Sequence, residues 1–213
     1  ILLVSSLIMI LSCCLLFAGT TFAWFSDSVT SGNNIITAGN LDVELEYSTD
    51  GKTWSTVESD TSIFKEETLW EPGHTEAVLL KISNEGSLSL KYDLNLAVTN
   101  EVSSINVYGD EFKLSDYLIV GAKVSDQLDT TALNNRIDAV KVAEDNEIGF
   151  SEVSVNMLLA SEAHYVQLVI CMPDTVGNEA NAIKGAATPS IKFGINLFAT
   201  QLNINSIGNI TSQ

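Results

Sequence analysis

The sequence predicts an all-β protein, an antiparallel β-sandwich with one short inserted helical segment at about residues 129–145. Two observations predict the sandwich: apolar and polar residues alternate with a period of two in several segments, and turn residues separate those segments. Since successive side chains of a strand point to opposite faces of its sheet, each such segment would bury one face and expose the other. Half-buried strands separated by short turns are typical of antiparallel sandwiches rather than of parallel sheets.

Four segments carry the alternation, and a fifth is apolar throughout. The alternating segments are residues 41–47, 78–82, 88–98 and 191–197. Residues 164–172 are apolar enough on both faces to predict a central strand with a neighbour on each side. These five segments are the predicted strands of the sandwich.

Short turn signals separate the predicted strands. Asn84-Glu85-Gly86 stands between the second and third alternating segments, and it predicts a hairpin that joins them. Asp50-Gly51 and Pro72-Gly73 mark two further turns.

The strand pattern stops between residues 126 and 147, where helical spacing replaces it. The residues that recur at this spacing are Leu133, Ile137, Val140 and Glu144. Asp129 or Thr130 could cap the N-terminus of such a helix, because both have side-chain oxygens that accept from backbone N–H groups. The spacing predicts a surface helix inserted between two strands.

The first 23 residues contain no charged side chain, and the last six of them, residues 18–23, are mostly small. This pattern predicts a signal peptide at residues 1–23 that is cleaved between Ala23 and Trp24, with Thr21 and Ala23 as the residues that the peptidase recognises. An uncleaved membrane anchor is an alternative, because such a segment is long enough to span a bilayer. A lipoprotein cleavage site at Cys13 is another alternative.

Charge and cysteine content limit the possible functions. The chain has 27 acidic and 10 basic residues, and its formal charge of −17 repels nucleic acids and anionic membranes. We therefore predict no nucleic-acid partner. Removal of the signal peptide leaves Cys171 alone, so no disulfide can form within the mature chain and its core must hold the fold.

The sequence predicts no catalytic site, no metal and no cofactor. A zinc hydrolase needs three close ligands, often two histidines one helical turn apart, whereas His74 and His164 are far apart in the chain and neither belongs to an H-E-x-x-H motif. Cys171 lies in an apolar segment, where a thiol usually packs as a small hydrophobic group.

A surface module that binds carbohydrate or calcium is an alternative function. Trp54 and Trp70 flank turns, where an aromatic ring can stack on a sugar. Acidic residues that calcium prefers as ligands are Asp110, Glu111, Asp116, Glu144, Asp145 and Glu147. Their spacing matches no EF-hand loop, so a solvated surface is the simpler interpretation.

Two motifs near the start of the chain resemble those of one family. Residues 19–27 read G-T-T-F-A-W-F-S-D, and residues 37–43 read T-A-G-N-L-D-V. This arrangement resembles the beginning of the TasA/camelysin family of exported proteins of Gram-positive bacteria, although Val43 replaces the Leu of the family pattern. The likeness continues at residues 71–73, 84–88 and 191–201 and is lost between residues 101 and 146.

The resemblance implies a jelly-roll sandwich at residues 40–213, secreted to the cell surface or biofilm matrix after cleavage by a dedicated signal peptidase. Family members assemble into head-to-tail fibres in which the N-terminal segment of one subunit completes the sheet of the next. Copies of the same chain, and other matrix proteins, are therefore the expected partners. Some camelysin-like proteins are described as metallopeptidases, which leaves an enzyme as a further alternative.

The corresponding segment here is residues 24–39. It contains no proline, which would block pairing, and its apolar residues are Trp24, Phe25, Val29, Ile35 and Ile36. An extended peptide of this kind can pair with the free edge of a sheet in another subunit. The alternative is that the segment folds back onto its own sheet.

Overall fold

The computed structural model describes residues 26–30, 41–64 and 70–202. These residues form two packed antiparallel sheets and a separate two-stranded hairpin. In chain order the strands are β1 (Ser26–Thr30), β2 (Val43–Ser48), β3 (Ser55–Thr56), β4 (Thr75–Asn84), β5 (Leu90–Val102), β6 (Ser104–Ile105), β7 (Glu111–Phe112), β8 (Ile119–Ser125), β9 (Glu152–Leu158), β10 (Ala163–Cys171) and β11 (Ser190–Gln201). The helices are α1 (Thr131–Asn134) and α2 (Arg136–Asp145), and short 3-10 turns lie at Leu114–Asp116 and Asn178–Ala180.

The two sheets divide the strands between them. The first sheet has the order β1-β11-β5-β9, the second has the order β3-β2-β4-β10-β8, and β6 pairs with β7. Every strand pair is antiparallel in the part of the chain that the structure describes. The predicted all-β sandwich with a short helical insertion is therefore confirmed.

The core lies between the sheets and is built by the predicted alternation. Along β5 every second residue from Leu90 to Leu96 is buried, and the facing residues come from β4 and β10. Those residues are Val78, Leu80, Ile82, Val166, Leu168 and Ile170. As the apolar segment predicts, β10 is central, because it pairs with β4 on one side and β8 on the other.

The predicted hairpin at Asn84-Glu85-Gly86 is wrong. The strands on either side of it, β4 and β5, belong to different sheets, so this turn carries the chain across the sandwich. The Asn84 side chain is fully buried there, and its Nδ2 donates to the carbonyls of Leu88 at 2.8 Å and Leu159 at 3.1 Å. The side-chain amide of Asn84 therefore joins the β4–β5 connection to the β9–β10 turn by hydrogen bonds.

The helical insertion covers the outer face of the second sheet, and its buried face agrees only in part with the predicted one, because Val140 packs against the buried cluster and Ile137 does not. Ile137 is 77 % exposed, whereas the buried helical residues are Ala139, Val142 and Ala143, which pack with Val169 and Cys171 of β10. The helical spacing of the sequence is set by its larger apolar residues. Two of the buried residues are alanines, and the backbone of Ala143 closely approaches Gly121 of β8.

The insertion is also divided in two. Asn135 interrupts it and caps α2, since its side-chain oxygen accepts from the backbone N–H of Asp138 at 2.9 Å. Of the two predicted caps, Asp129 accepts from the backbone N–H of Thr131 at 3.0 Å, while Thr130 makes no side-chain capping bond.

Candidate functional site

The first strand is the described part of the predicted N-terminal segment, and it lies at an edge of the first sheet. It pairs antiparallel with β11, from Ser26 opposite Thr200 to Thr30 opposite Asn196. Of the predicted assembly residues, Val29 lies in this strand, opposite Leu197. The remaining predicted residues lie outside the described part of the chain: the cleavage residues Thr21, Ala23 and Trp24, and Phe25, Ile35 and Ile36.

We refer to residues 196–200 of β11, on the side that β1 occupies, as the β11 docking edge. Within it, Leu197 and Ala199 are each 1 % exposed, whereas Phe198 between them is 45 % exposed. On its other side β11 pairs with β5 along its whole length, with one register shift between Lys192 and Phe193. The docking edge is thus part of a long, anchored strand that offers backbone groups and an alternating set of side chains.

Sequence reasoning predicted β11 as a strand but did not predict its role as the partner of β1. The alternation over residues 191–197 shows that the strand has a buried face. It does not show which strand lies beside it, because the same pattern suits any position in a sheet. No local signal could have identified this pair.

His164 belongs to a buried link between the two sheets. It lies in β10 and is 8 % exposed, and its Nδ1 is 3.0 Å from the hydroxyl of Tyr92 in β5. Its Nε2 is 3.2 Å from Oδ1 of Asp126. A carboxylate can only accept, so Nε2 carries a hydrogen; in a neutral ring Nδ1 is then an acceptor for the Tyr92 hydroxyl. Burial raises the pKa of Tyr92, which keeps this hydroxyl a donor.

Replacing Tyr92 with phenylalanine is expected to lower the free energy of unfolding by about 1–3 kcal/mol, because Nδ1 of His164 then stays buried without a donor. Chemical unfolding at neutral pH measures the loss. Tyr108→Phe is the matched control, since Tyr108 is 67 % exposed and its hydroxyl can reach water. Equal stability of the two variants would contradict a stabilising role for the link.

His74 lies just before β4 and has its own partners. Its Nε2 is 3.2 Å from Oε1 of Glu76, and its ring meets the edge of Trp70 at a centroid distance of 4.6 Å. Trp54, the second tryptophan considered for sugar binding, packs against Tyr165 with a ring-centroid distance of 5.9 Å. The two histidines therefore take part in separate local contacts. Within residues 26–30, 41–64 and 70–202, no three His, Cys, Asp or Glu side chains come together as a metal site.

Cys171 is buried beneath the helical insertion. Burial, with the carboxylates of Glu144 and Glu147 as smaller contributions, raises the pKa of its thiol to about 11. A thiol with this pKa is protonated at neutral pH and is a poor nucleophile. Cys171 therefore acts as a packed, buried residue in this structure.

Two of the acidic residues considered for calcium, Asp116 and Glu111, accept local hydrogen bonds. Asp116 accepts from the backbone N–H of Lys113 at 3.1 Å, and Glu111 accepts from the Ser103 hydroxyl at 2.6 Å. Such bonds hold the loops around β6 and β7 and use carboxylate oxygens that a cation would need.

A polar cleft of about 630 Å³ lies between the Pro72-Gly73 turn and the helical insertion. Its rim includes His74, Asp174 and Arg136, whose Nη1 donates to the carbonyl of Gly73 at 3.0 Å. Arg136 is the chain's only arginine. Glu71 and Asp174 add two carboxylates to the lining, so the cleft carries charges of both signs and can form polar contacts.

Comparison with known proteins identifies the family. None of the helices in the described part of the chain is long and apolar enough to cross a membrane. A search of the curated proteins found no match. The model of the family described as camelysin metallo-endopeptidase matches residues 5–168, which is well over half of the chain. The chain therefore belongs to the TasA/camelysin family.

Proposed function

We propose that this protein is exported and assembles with copies of itself into fibres at the cell surface or in the extracellular matrix. The observation that carries the proposal is the pairing of β1 with the edge of β11, because β1 is a short strand from the segment that follows the predicted cleavage site. In the single chain this segment folds back onto its own sheet, and a second copy offers the same edge to it. Family membership and the uncharged first 23 residues support export. A dedicated signal peptidase and other matrix proteins are the further partners that we propose.

The physical basis of assembly is pairing of an extended segment with the edge of a sheet in another subunit. Main-chain hydrogen bonds supply affinity, and the alternating side chains of the acceptor strand supply specificity. When the N-terminal segment of one subunit docks on the next, donor and acceptor surfaces differ. Such a head-to-tail contact does not close into a dimer, and it continues into a filament.

Deleting residues 24–29 from the chain that begins at Trp24 is expected to abolish assembly, because it removes most of the donor strand. Electron microscopy and size-exclusion chromatography would show filaments or a ladder of oligomers for the full mature chain and monomers for the deletion. Deletion of residues 208–213 is the control of equal length at the other terminus, and it should still assemble. Filaments from the chain without residues 24–29 would contradict the proposal.

The family description favours a second candidate, a metallo-endopeptidase. The described residues do not fit such a centre, because both nitrogens of His164 already have protein partners and His74 lies in a separate contact with Glu76. We therefore derive no catalytic step and propose an assembly protein rather than an enzyme. A mature chain that stays monomeric at every salt concentration and pH would instead favour a surface module that binds carbohydrate or calcium.

A further inference from the structure

We propose that the polar cleft between the Pro72-Gly73 turn and the helical insertion binds a short peptide through the peptide's free ammonium and free carboxylate groups. The cleft lies beside β4 and β10 of the second sheet, whereas β1 and β11 belong to the first sheet. The site therefore goes beyond the proposed assembly function and does not depend on it.

The shape of the cleft suits a small ligand. Its volume of about 630 Å³ lies within the range of roughly 300–1,000 Å³ that small-molecule sites usually occupy. Three alanines belong to its lining, Ala77 of β4 and the buried Ala132 and Ala139 of the insertion. Methyl side chains leave space that larger ones would fill, so these positions keep the cleft open.

Two carboxylates of the cleft are free to receive a cation. Glu71 and Asp174 are exposed, and among the residues that the structure describes neither side chain has a hydrogen bond or an ion pair. A carboxylate only accepts hydrogen bonds, and an ammonium group offers three donors. A peptide ammonium can therefore bind these oxygens without displacing a protein donor.

The group that can bind an anion is Arg136, the first residue of α2. Its Nη1 donates to the carbonyl of Gly73 at 3.0 Å, which holds one side of the guanidinium at the turn. The other N–H groups of this side chain have no acceptor in the described part of the chain. A guanidinium with unused donors can bind a carboxylate through two parallel hydrogen bonds.

The opposite charges of the cleft lie close together but do not pair. A Cβ added to Gly73 would lie 3.3 Å from Nη1 of Arg136 and 3.9 Å from Cβ of Asp174, so both side chains flank this glycine. Arg136 and Asp174 nevertheless form none of the ion pairs that the described residues contain. A zwitterionic ligand can bind both side chains at once, and no protein ion pair has to be broken first.

The charge of the whole chain favours a zwitterion over an ion of one sign. The formal charge of −17 repels an anion that approaches Arg136. A simple cation would leave the guanidinium unused, and the carboxylates of the cleft do not join His74 in a metal-binding group among the described residues. A peptide with two free termini and neutral side chains has no net charge, so the field of the protein does not repel it.

Saturation-transfer NMR tests the class of ligand, because it detects weak ligands of a monomer and of a filament alike. The chain that begins at Trp24 is titrated with triglycine, with N-acetyltriglycine, which lacks the ammonium, and with triglycine amide, which lacks the carboxylate. We expect triglycine to bind saturably and each blocked peptide to bind about tenfold more weakly, because each loses one charged hydrogen-bonding group. Equal binding of the three peptides, or no binding of triglycine, would overturn the inference.

Two substitutions assign each peptide terminus to a side chain. Arg136→Gln should weaken the binding of triglycine about tenfold and leave that of triglycine amide unchanged, because this peptide has no carboxylate. Asp174→Asn should weaken the binding of triglycine and leave that of N-acetyltriglycine unchanged, because this peptide has no ammonium. Equal weakening of all three peptides in either variant would indicate a disturbed fold rather than a lost contact and would overturn the assignment.

Lys141→Gln and Asp60→Asn are the matched controls, since both residues are exposed and neither lines the cleft. Both controls should bind triglycine like the unmodified chain, and all four variants should keep its circular dichroism spectrum and its assembly. Unchanged binding of triglycine by Arg136→Gln would overturn the inference and leave the proposed function intact. An unmodified chain that binds triglycine but forms no filaments would overturn only the proposed function.

Discussion

Gly121→Ala is expected to destabilise the protein by about 3 kcal/mol or more, at or above the upper end of typical overpacking costs. Gly121 lies in β8, and a Cβ added there would be 2.5 Å from both the Cα and the carbonyl oxygen of Ala143 in α2. These are backbone atoms that cannot rotate away, so either the helix or the strand must move. Urea unfolding, followed by circular dichroism, measures the loss.

Two further variants distinguish the steric clash at Gly121 from the general cost of replacing a glycine. Gly109 has a φ of +92° and nothing within 4 Å of an added Cβ, so Gly109→Ala should cost only the backbone strain of about 1–2 kcal/mol. Ala143→Gly, added to Gly121→Ala, should not restore stability, because it leaves the backbone of residue 143 in place. A Gly121→Ala variant as stable as the unmodified chain would refute the close approach of helix and sheet.

Asn84→Asp is expected to destabilise the folded state by about 3–5 kcal/mol at neutral pH, comparable to leaving a buried charge without its partner. The native Nδ2 donates to three carbonyls, those of Leu88, Leu158 and Leu159. An ionised carboxylate has no hydrogen to donate, and it would face three carbonyl oxygens away from water. Urea unfolding measures the effect, and Asn100→Asp, at an exposed position of β5, is the control.

The loss in the Asn84→Asp variant should depend on pH with a defined sign. Burial against carbonyl oxygens raises the pKa of the new carboxyl in the folded state above its unfolded value of about 3.9. Below the pKa of the unfolded state the carboxyl is protonated in both states, and the variant keeps its stability. The variant loses stability as the pH rises through the pKa of the folded state. The difference from the unmodified chain should therefore shrink at acidic pH. A difference that stays constant would show that the carboxyl is not buried in ionised form.

The alternating segments were sufficient to locate most of the main strands of the sandwich. Each follows from a local property, the period-two pattern that any half-buried strand must have. The apolar segment at 164–172 likewise predicted a central strand, because only a strand with a neighbour on each side and a cover on both faces tolerates so few polar residues. The family could also be predicted, since its motifs are contiguous in the chain.

The pattern did not determine which strands are neighbours. Asn84-Glu85-Gly86 was read as a hairpin, yet the same turn residues carry the chain from one sheet to the other. The buried face of the helix was predicted only in part, because the large apolar residues at helical spacing include Val140 but not the alanines that also face the sheet. Gly121 and Ala143 meet only after the sheet has formed, so neither shows a local signal.

The sequence by itself therefore determined five of the main strands, the central position of β10, the uncharged first segment and the family. The tertiary structure alone decided that β1 pairs with β11 and that the Asn84 side chain joins the β4–β5 connection to the β9–β10 turn. It also decided that His164 links the two sheets through Tyr92. The physical reason is that a strand with one buried face has apolar and polar residues in alternation along the chain, and the sequence shows this pattern directly. Strand order and side-chain partners instead depend on packing between residues far apart in sequence.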